Sequence, residues 1–243
     1  MNYIPYILDF ETTDKDPLKA LPCELAYLRS GTVFAFEILI NPGIPIPPET
    51  SAIHHITDDD VAGAPGWGDV QASFCDDVAF SSESGHVVLI AHNASYEQGV
   101  LRNATFSPEV SWICTYKAAM RVWPESPTFS NEGLRYWLKL GSLGRKFNQS
   151  THSAMHDCKV TELLYLELLK YTTIEEMIAW TKEPAKLPKI PFGKHRGLEW
   201  GQVPTDYLQW ALAQQDMDES VKACSKDELI KRNAPLVKQY GRR

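Results

Sequence analysis

Five side chains in this 243-residue chain have the types and the spacing to do chemistry around a divalent cation. Asp9 and Glu11 close the apolar run Tyr3–Phe10, and the two-residue period of a strand puts both carboxylates on one face. Two like charges buried side by side are costly unless cations offset them, and hard oxygen donors point to Mg²⁺ or Mn²⁺. For a lone pair of this kind, a strand end with solvated carboxylates is the alternative. Glu97 precedes Val100 and Leu101 by three and four residues, and Asp157 precedes Val160, Leu164 and Leu168 by three, seven and eleven. On helices both acids therefore share a stripe with apolar residues. Each by itself also fits a helix start, where the macrodipole favours an acid, but all four are aimed at one sheet. His152 lies in the segment Thr151–Ala154, which leads into the Asp157 helix. Its near-neutral pKa suits it to take a proton from a water. His156 points away from Asp157's face and is read as a surface residue, while His54, His55 and His92 are read as structural hydrogen-bonding groups.

The elements that must position these groups follow from periodicity. Tyr3–Phe10, Glu24–Arg29 and Val33–Ile40 read as three strands of an antiparallel meander, with a tight hairpin turn at Ser30-Gly31. A Pro-rich turn spans Asn41–Pro48. Trp67, Val70, Phe74 and Val78 recur at helical spacing, Val87–Ala91 reads as a short buried strand, and Asn93 as the cap of a helix carrying Tyr96, Val100 and Leu101. Trp112–Cys114 is a fifth strand. The pattern is then helical: Lys117–Val122, a helix capped by Asn131 that carries Leu134, Trp137 and Leu138, and Met155–Lys170. Strands followed by alternating helix and strand predict an α/β domain with a mixed sheet. Three prolines between Glu183 and Pro191 place a domain boundary there.

Composition narrows the class. With 44% hydrophobic and 23% charged residues the chain can bury a full core and is not a disordered one. Its apolar runs stop short of the roughly 20 residues a membrane span needs, and the N-terminus reads as lacking a signal peptide. Five scattered cysteines form no C-x-x-C pair, so free buried thiols and a cytoplasmic location are expected. The net charge of −7 is unevenly spread: the first 110 residues hold 4 Lys/Arg against 16 Asp/Glu, the remainder 20 against 15. An acidic front that cations offset and a basic rear that meets phosphate suit a metal-using nuclease, although chance gives such a split about as readily.

The runs Asp9-Phe10-Glu11-Thr12-Thr13, Ala91-His92-Asn93-Ala94-Ser95-Tyr96-Glu97 and His152-Ser153-Ala154-Met155-His156-Asp157 resemble, in order and spacing, the three motifs of the DEDDh (DnaQ-like) 3′→5′ exonucleases. Ser51–Thr57, Trp112–Thr115 and Pro191-Phe192-Gly193-Lys194 with Arg196-Gly197 are similar to the exodeoxyribonuclease X branch of that family, so the resemblance covers nearly the whole chain. It implies an α/β, ribonuclease H-like fold. A mixed five-stranded sheet flanked by helices would occupy residues 1–182, and a small α+β domain residues 183–243. It further implies that Asp9, Glu11, Asp157 and Glu97 bind two Mg²⁺ or Mn²⁺ ions, with Asp9 bridging them, and that His152 deprotonates the attacking water. Thr12 and Thr13 would hold the terminal nucleotide, with His92 and Asn93 as further nucleic-acid contacts. Such an ion pair, about 4 Å apart, clamps both the attacking and the leaving oxygen of a phosphodiester displacement. The family's second motif usually ends in Asp. Glu97 displaces the carboxylate by about one bond length, which implies altered metal preference or rate.

The basic residues Arg135, Lys139, Arg145 and Lys146 lie among aromatics ahead of His152 and are read as backbone-phosphate contacts. Lys182, Lys186, Lys189, Lys194, His195 and Arg196 form a second basic group around Phe192 and Gly193. The activity implied is a metal-dependent 3′→5′ exodeoxyribonuclease that acts on DNA 3′ ends, in repair or end-trimming, and releases 5′-mononucleotides. RNA is a possible substrate, and the alternatives are an exoribonuclease or a weakly active nucleic-acid-binding scaffold on the same fold.

Overall fold

The computed structural model describes residues 1–104, 106, 109–141 and 153–233. Its centre is a mixed sheet of five strands: β1 (Tyr3–Thr12), β2 (Pro22–Arg29), β3 (Ala35–Leu39), β4 (His86–Ala91) and β5 (Ser111–Cys114), in the order β3-β2-β1-β4-β5. β1, β2 and β3 are antiparallel neighbours, and β4 and β5 run parallel to β1. β1 therefore lies in the middle of the sheet. Its tenfold run of mostly apolar residues can be buried on both faces, as a central strand requires.

The helices follow in chain order. Two short ones, α1 (Pro48–His54) and α2 (Asp58–Val61), precede α3 (Trp67–Ser82). Beyond β4 come α4 (Ser95–Val100), then α5 (Thr115–Val122), α6 (Asn131–Trp137), α7 (Ala154–Leu168) and α8 (Ile174–Lys182). α3 and α4 cover one face, where Val70, Phe74, Val78 and Val100 pack on Tyr6, Leu8 and Leu89. α5 to α8 cover the other, where Ala118, Leu134, Val160, Leu164 and Met177 pack on Ile7, Ala26 and Ile90. The alternation along β1 thus splits the core in two: Tyr6, Leu8 and Phe10 face α3, and Ile7 faces α7.

Several local expectations are corrected. The connection after β2 is longer than a tight turn: the Arg29 N–H reaches the Phe34 carbonyl at 3.1 Å, and Val33 lies fully exposed outside β3. Asn93 does not cap α4. It adopts a left-handed φ of 69° before the N-cap Ala94, and its carbonyl accepts the Tyr96 N–H. Ser130, not Asn131, caps α6 by accepting the Gly133 N–H, which frees the Asn131 amide to donate to the Asp157 carbonyl at 3.2 Å. The sequence reading has no counterpart for α1, α2 or α8.

After Lys182 the chain packs a small cluster of its own, in which Ile190, Val203, Leu208 and Leu229 join α9 (Thr205–Ala213) to α10 (Glu219–Lys231). Among the described residues its strand pairing amounts to one isolated bridge, Lys189 with Glu199. The Arg232 guanidinium ties it together, donating to the carbonyls of Val203, Trp200 and Gly201. Lys117 Nζ donates to the Thr181 and Glu183 carbonyls, and Arg121 pairs with Glu183 at 2.7 Å, so the entry to this annex is fastened to α5. No helix among the described residues is long and apolar enough to cross a membrane.

α7 carries Asp157 and is seated by Leu164, which is 1% exposed, whereas its neighbour Leu166 is 45% exposed. Leu164→Ala should cost about 2–5 kcal/mol by opening a cavity, and Leu166→Ala should stay within about 0.5 kcal/mol. Urea midpoints of the two variants give the comparison; equal losses would mean that α7 is not held through this face.

Candidate active site

Ile7, Asp9 and Glu11 alternate onto the face of β1 that meets α7, so the period that buries Ile7 also aims both acids at that helix. Asp157 stands in the first turn of α7. One carboxylate oxygen from each of Asp9, Glu11 and Asp157 falls within 4.8 Å of the others. Glu97, on α4, comes from the far side of the same cleft, which encloses about 410 Å³. It is 4% exposed, and its Oε2 has no hydrogen-bond partner among the described residues.

Burial and mutual repulsion act on these acids together. Burial, then the charges of Asp157, Glu97, Glu11 and Glu24, pushes Asp9 well above the ordinary carboxylate range. Burial, followed by Asp157 and Glu24, raises Glu11 to about 8. Burial also raises Glu97 to about 8. Gathered here, the acids are driven toward their protonated forms, and among the described residues Lys15 is the Lys or Arg side chain that lines the cleft. A set of hard oxygens, one of them buried and unpartnered, fits a hard divalent cation.

Sequence reasoning missed Glu24. It faces Glu11 directly across the β1–β2 pair, is 7% exposed, and its Oε2 accepts the Ala154 N–H at 2.8 Å. It thus fastens the first turn of α7 to the sheet and adds to the local negative potential. The available signal was a glutamate inside the otherwise apolar strand Pro22–Arg29. Tyr96, on the apolar stripe of α4, does more than pack. Its hydroxyl contacts Thr12 Oγ1 and donates to the Asp14 carbonyl at 2.5 Å, fixing the loop that leaves β1.

The remaining sequence-predicted residues fall in distinct places. Thr12 lines the cleft. Thr13 is buried and closes a reciprocal pair with Leu21, its N–H on the Leu21 carbonyl and its Oγ1 accepting the Leu21 N–H. His92 and Asn93 both line the cleft, and Asn93 is exposed. Burial pushes His92 down to about 4, so it is neutral near pH 7. In that state Nε2–H donates to the Phe129 carbonyl at 2.8 Å and Nδ1 accepts from the Thr115 hydroxyl at 3.0 Å. Lys139 is exposed, with a left-handed φ of 58°.

Two expectations are overturned. Arg135 is 3% exposed, pairs with Glu132 Oε2 at 2.8 Å and lies over the Tyr136 ring, so it does not present its charge to a phosphate. His156 is not on the surface: it is 1% exposed and bonded to Glu132 Oε1 at 2.5 Å. A single glutamate on α6 thereby meets both buried side chains, Arg135 and His156, and latches α6 to α7. A helical wheel puts His156 off Asp157's stripe but does not reveal that α6 covers that side. His152, Arg145 and Lys146 lie outside the described residues.

Comparison with known proteins gives the family and the fold. Residues 6–165 match the family model described as Exonuclease. The chain is 33% identical over 185 residues to Exodeoxyribonuclease 10 of Escherichia coli (strain K12), covering 71% of this chain and 74% of that protein. Among solved structures, Exonuclease X in complex with 5′ overhanging duplex DNA superposes with a TM-score of 0.59 at 29% identity, over 73% of this chain and 99% of the other. The nuclease domain of 3′hExo, a DEDDh family member bound to rAMP, shares the fold at a TM-score of 0.55 and 16% identity, over 69% and 92% of the two chains. The sheet flanked by helices is the ribonuclease H-like exonuclease fold, and with its carboxylates gathered at the end of the central strand this chain belongs to the exonuclease family.

Proposed function

We propose that this chain is a metal-dependent 3′→5′ exodeoxyribonuclease that releases 5′-mononucleotides from DNA 3′ ends. The observation that carries the reading is the oxygen trio of Asp9, Glu11 and Asp157, within 4.8 Å, with the unpartnered Oε2 of Glu97 on a side chain lining the same cleft. These four side chains would hold two Mg²⁺ or Mn²⁺ ions. When bound, such ions polarise the scissile phosphoryl group and offset the charge that develops on it. The similarity to an exodeoxyribonuclease supports DNA as the substrate.

The chain's own residues do the rest. A cleft of about 410 Å³ suits a single terminal nucleotide, and Ile53, 54% exposed at its wall, offers an apolar surface to a base. Tyr96, Thr12 and Asp14 lock the loop beside that nucleotide, and Asn93 presents an exposed polar side chain. His152, just ahead of α7, takes a proton from the attacking water. Water adds across the phosphodiester, the 3′-oxygen of the penultimate nucleotide leaves with a proton, and the phosphate stays on the released 5′ side. Glu97 keeps the charge of the usual Asp at a longer reach, so its effect falls on metal preference and rate.

Three measurements test the reading. On 5′-labelled DNA and RNA of one sequence, the parent should give a metal-dependent DNA ladder. Asp9→Asn should slow it by roughly 10²–10³-fold or more, the scale for losing one preorganised electrostatic group. Glu97→Asp should remain active with a changed Mg²⁺/Mn²⁺ rate ratio. A stronger RNA ladder would make the chain an exoribonuclease, and an inert parent revived by Glu97→Asp would make it a binding scaffold.

His152→Ala should lose about 10²–10⁴-fold in rate, and an unchanged rate would exclude His152 as the base.

Stability supplies the third test. Folding raises Glu11 and Glu97 from ordinary glutamate values to about 8, so the metal-free folded chain keeps protons that the unfolded chain releases. That contribution is complete below about pH 4 and lost as pH rises through about 8. The metal-free Tm should therefore fall from pH 5 to pH 8. Divalent ions compete with those protons, so the Tm gained from saturating Mg²⁺ should be larger at pH 8. An equal gain at both values would mean that the ion binds elsewhere.

A further inference from the structure

His92 stands between the carboxylate cleft and a neighbouring one. The His92 ring lies on the cleft wall, donates to the Phe129 carbonyl and meets Tyr116 edge-on at 5.8 Å. Tyr116 in turn meets Phe129 edge-on at 6.5 Å. Both aromatics line a second and larger cleft, of about 1140 Å³, whose opposite wall is the C-terminal annex. Two cations on that wall, Lys189 and Arg196, are exposed and form no ion pair among the described residues. Arg196 sits on a turn bracketed by Gly193 at φ 64° and Gly197 at φ 86°, left-handed conformations that favour glycine. The acids of the cleft are largely engaged: Glu228 accepts from Arg232 Nε at 2.8 Å and Glu199 caps its own turn, which leaves Glu125. Lys231 approaches Glu228 only at 3.8 Å.

We propose that this second cleft binds the nucleic-acid strand upstream of the terminal nucleotide, with backbone phosphates on Lys189 and Arg196 and bases against Tyr116 and Phe129. Exposed cations without partners gain directly from a polyanion that releases its counterions, and half-buried aromatic rings offer stacking surface to unpaired bases of any sequence. Adjacency to the carboxylate cleft across His92, together with the unpaired cations, argues for the substrate strand over an unrelated ligand. The annex thereby becomes an anchor for long substrates, and chemistry on the last phosphodiester does not depend on it. The identity of the occupant rests on the nuclease reading above.

The test uses the full chain and the double charge reversal Lys189→Glu/Arg196→Glu, with circular dichroism and Tm as controls for folding. Affinity for a fluorescent single-stranded DNA of about 30 nucleotides, measured by anisotropy in EDTA, should fall roughly tenfold or more. The slope of log K against log salt should lessen by about 1.4, roughly 0.7 for each phosphate of a single strand that no longer meets a cation. With metal, KM for the long strand should rise while kcat, and turnover of a strand of about four nucleotides, stay at parental values. Lys189→Arg should behave as the parent, because charge and not shape is required. Unchanged affinity and salt slope for the long strand would overturn the proposal and leave the cleft a seam between packed units. An equal loss on both lengths would overturn it as well, since an upstream anchor acts only on long strands. A parent that cleaves neither length would remove the nuclease reading, while the anisotropy arm would still decide the cleft.

Discussion

Like charge gathered at the C-terminal end of β1 is the constraint to which the rest of the molecule answers. Ionised, two carboxylates within 4.8 Å of one another would repel by roughly 3–4 kcal/mol or more at an effective dielectric constant of about 20, and Asp9, Glu11 and Glu97 hold protons instead until a cation displaces them. Asp9, Glu11 and Asp157 form several such pairs, and Glu97 and Glu24 add to them. A loop would relieve this repulsion by swinging its acids into water. Here Asp9 and Glu11 belong to the central strand of a five-stranded sheet, with helices packed on both faces, so neither can withdraw without breaking a ladder. The core's packing holds the acids in place, and the resulting potential is what makes a hard divalent cation the fitting occupant.

The position of α7 is over-determined for the same reason. Ser153 caps it by accepting the His156 N–H, and Glu24 accepts the Ala154 N–H. The Cys158 thiol lies on the Ala26 carbonyl at 3.3 Å, and Leu164 and Leu168 fill the core below. On the outer side Glu132 links α6 to His156 while it neutralises Arg135, and the Asn131 amide holds the Asp157 carbonyl. The polar bonds in this set all fix the helix start rather than its far end, which is where Asp157 must be rigid. Positioning groups of this kind make a metal site selective, because they fix donor spacing before an ion arrives.

The annex shows a different economy of interactions. Its small cluster is held by backbone carbonyls converging on one guanidinium, Arg232, and by a small apolar set. That leaves Lys189, Lys194 and Arg196 on its surface, with Lys194 over the Tyr207 ring. A module of this size can maintain a charged face because α5 and the Thr181–Glu183 segment fasten its entry to the larger core.

What the sequence determined by itself is whatever depends on period and order. The two-residue alternation of β1 put Asp9 and Glu11 on one face, the stripes Glu97–Val100–Leu101 and Asp157–Val160–Leu164 turned two more acids inward, and three ordered motifs implied the fold and the family. Local rules placed the strands and α3 closely and missed the caps by one residue, because Asn93 and Asn131 are spent on other bonds. Tertiary structure alone decided the pairings between elements distant in sequence: Glu24 opposite Glu11 and on Ala154, His156 and Arg135 sharing Glu132, His92 neutral between Thr115 and Phe129. The physical reason is common to all of these. A polar side chain's role depends on its burial and on the partner that meets it there, and both come from the packing of one element on another rather than from the residue's neighbours along the chain.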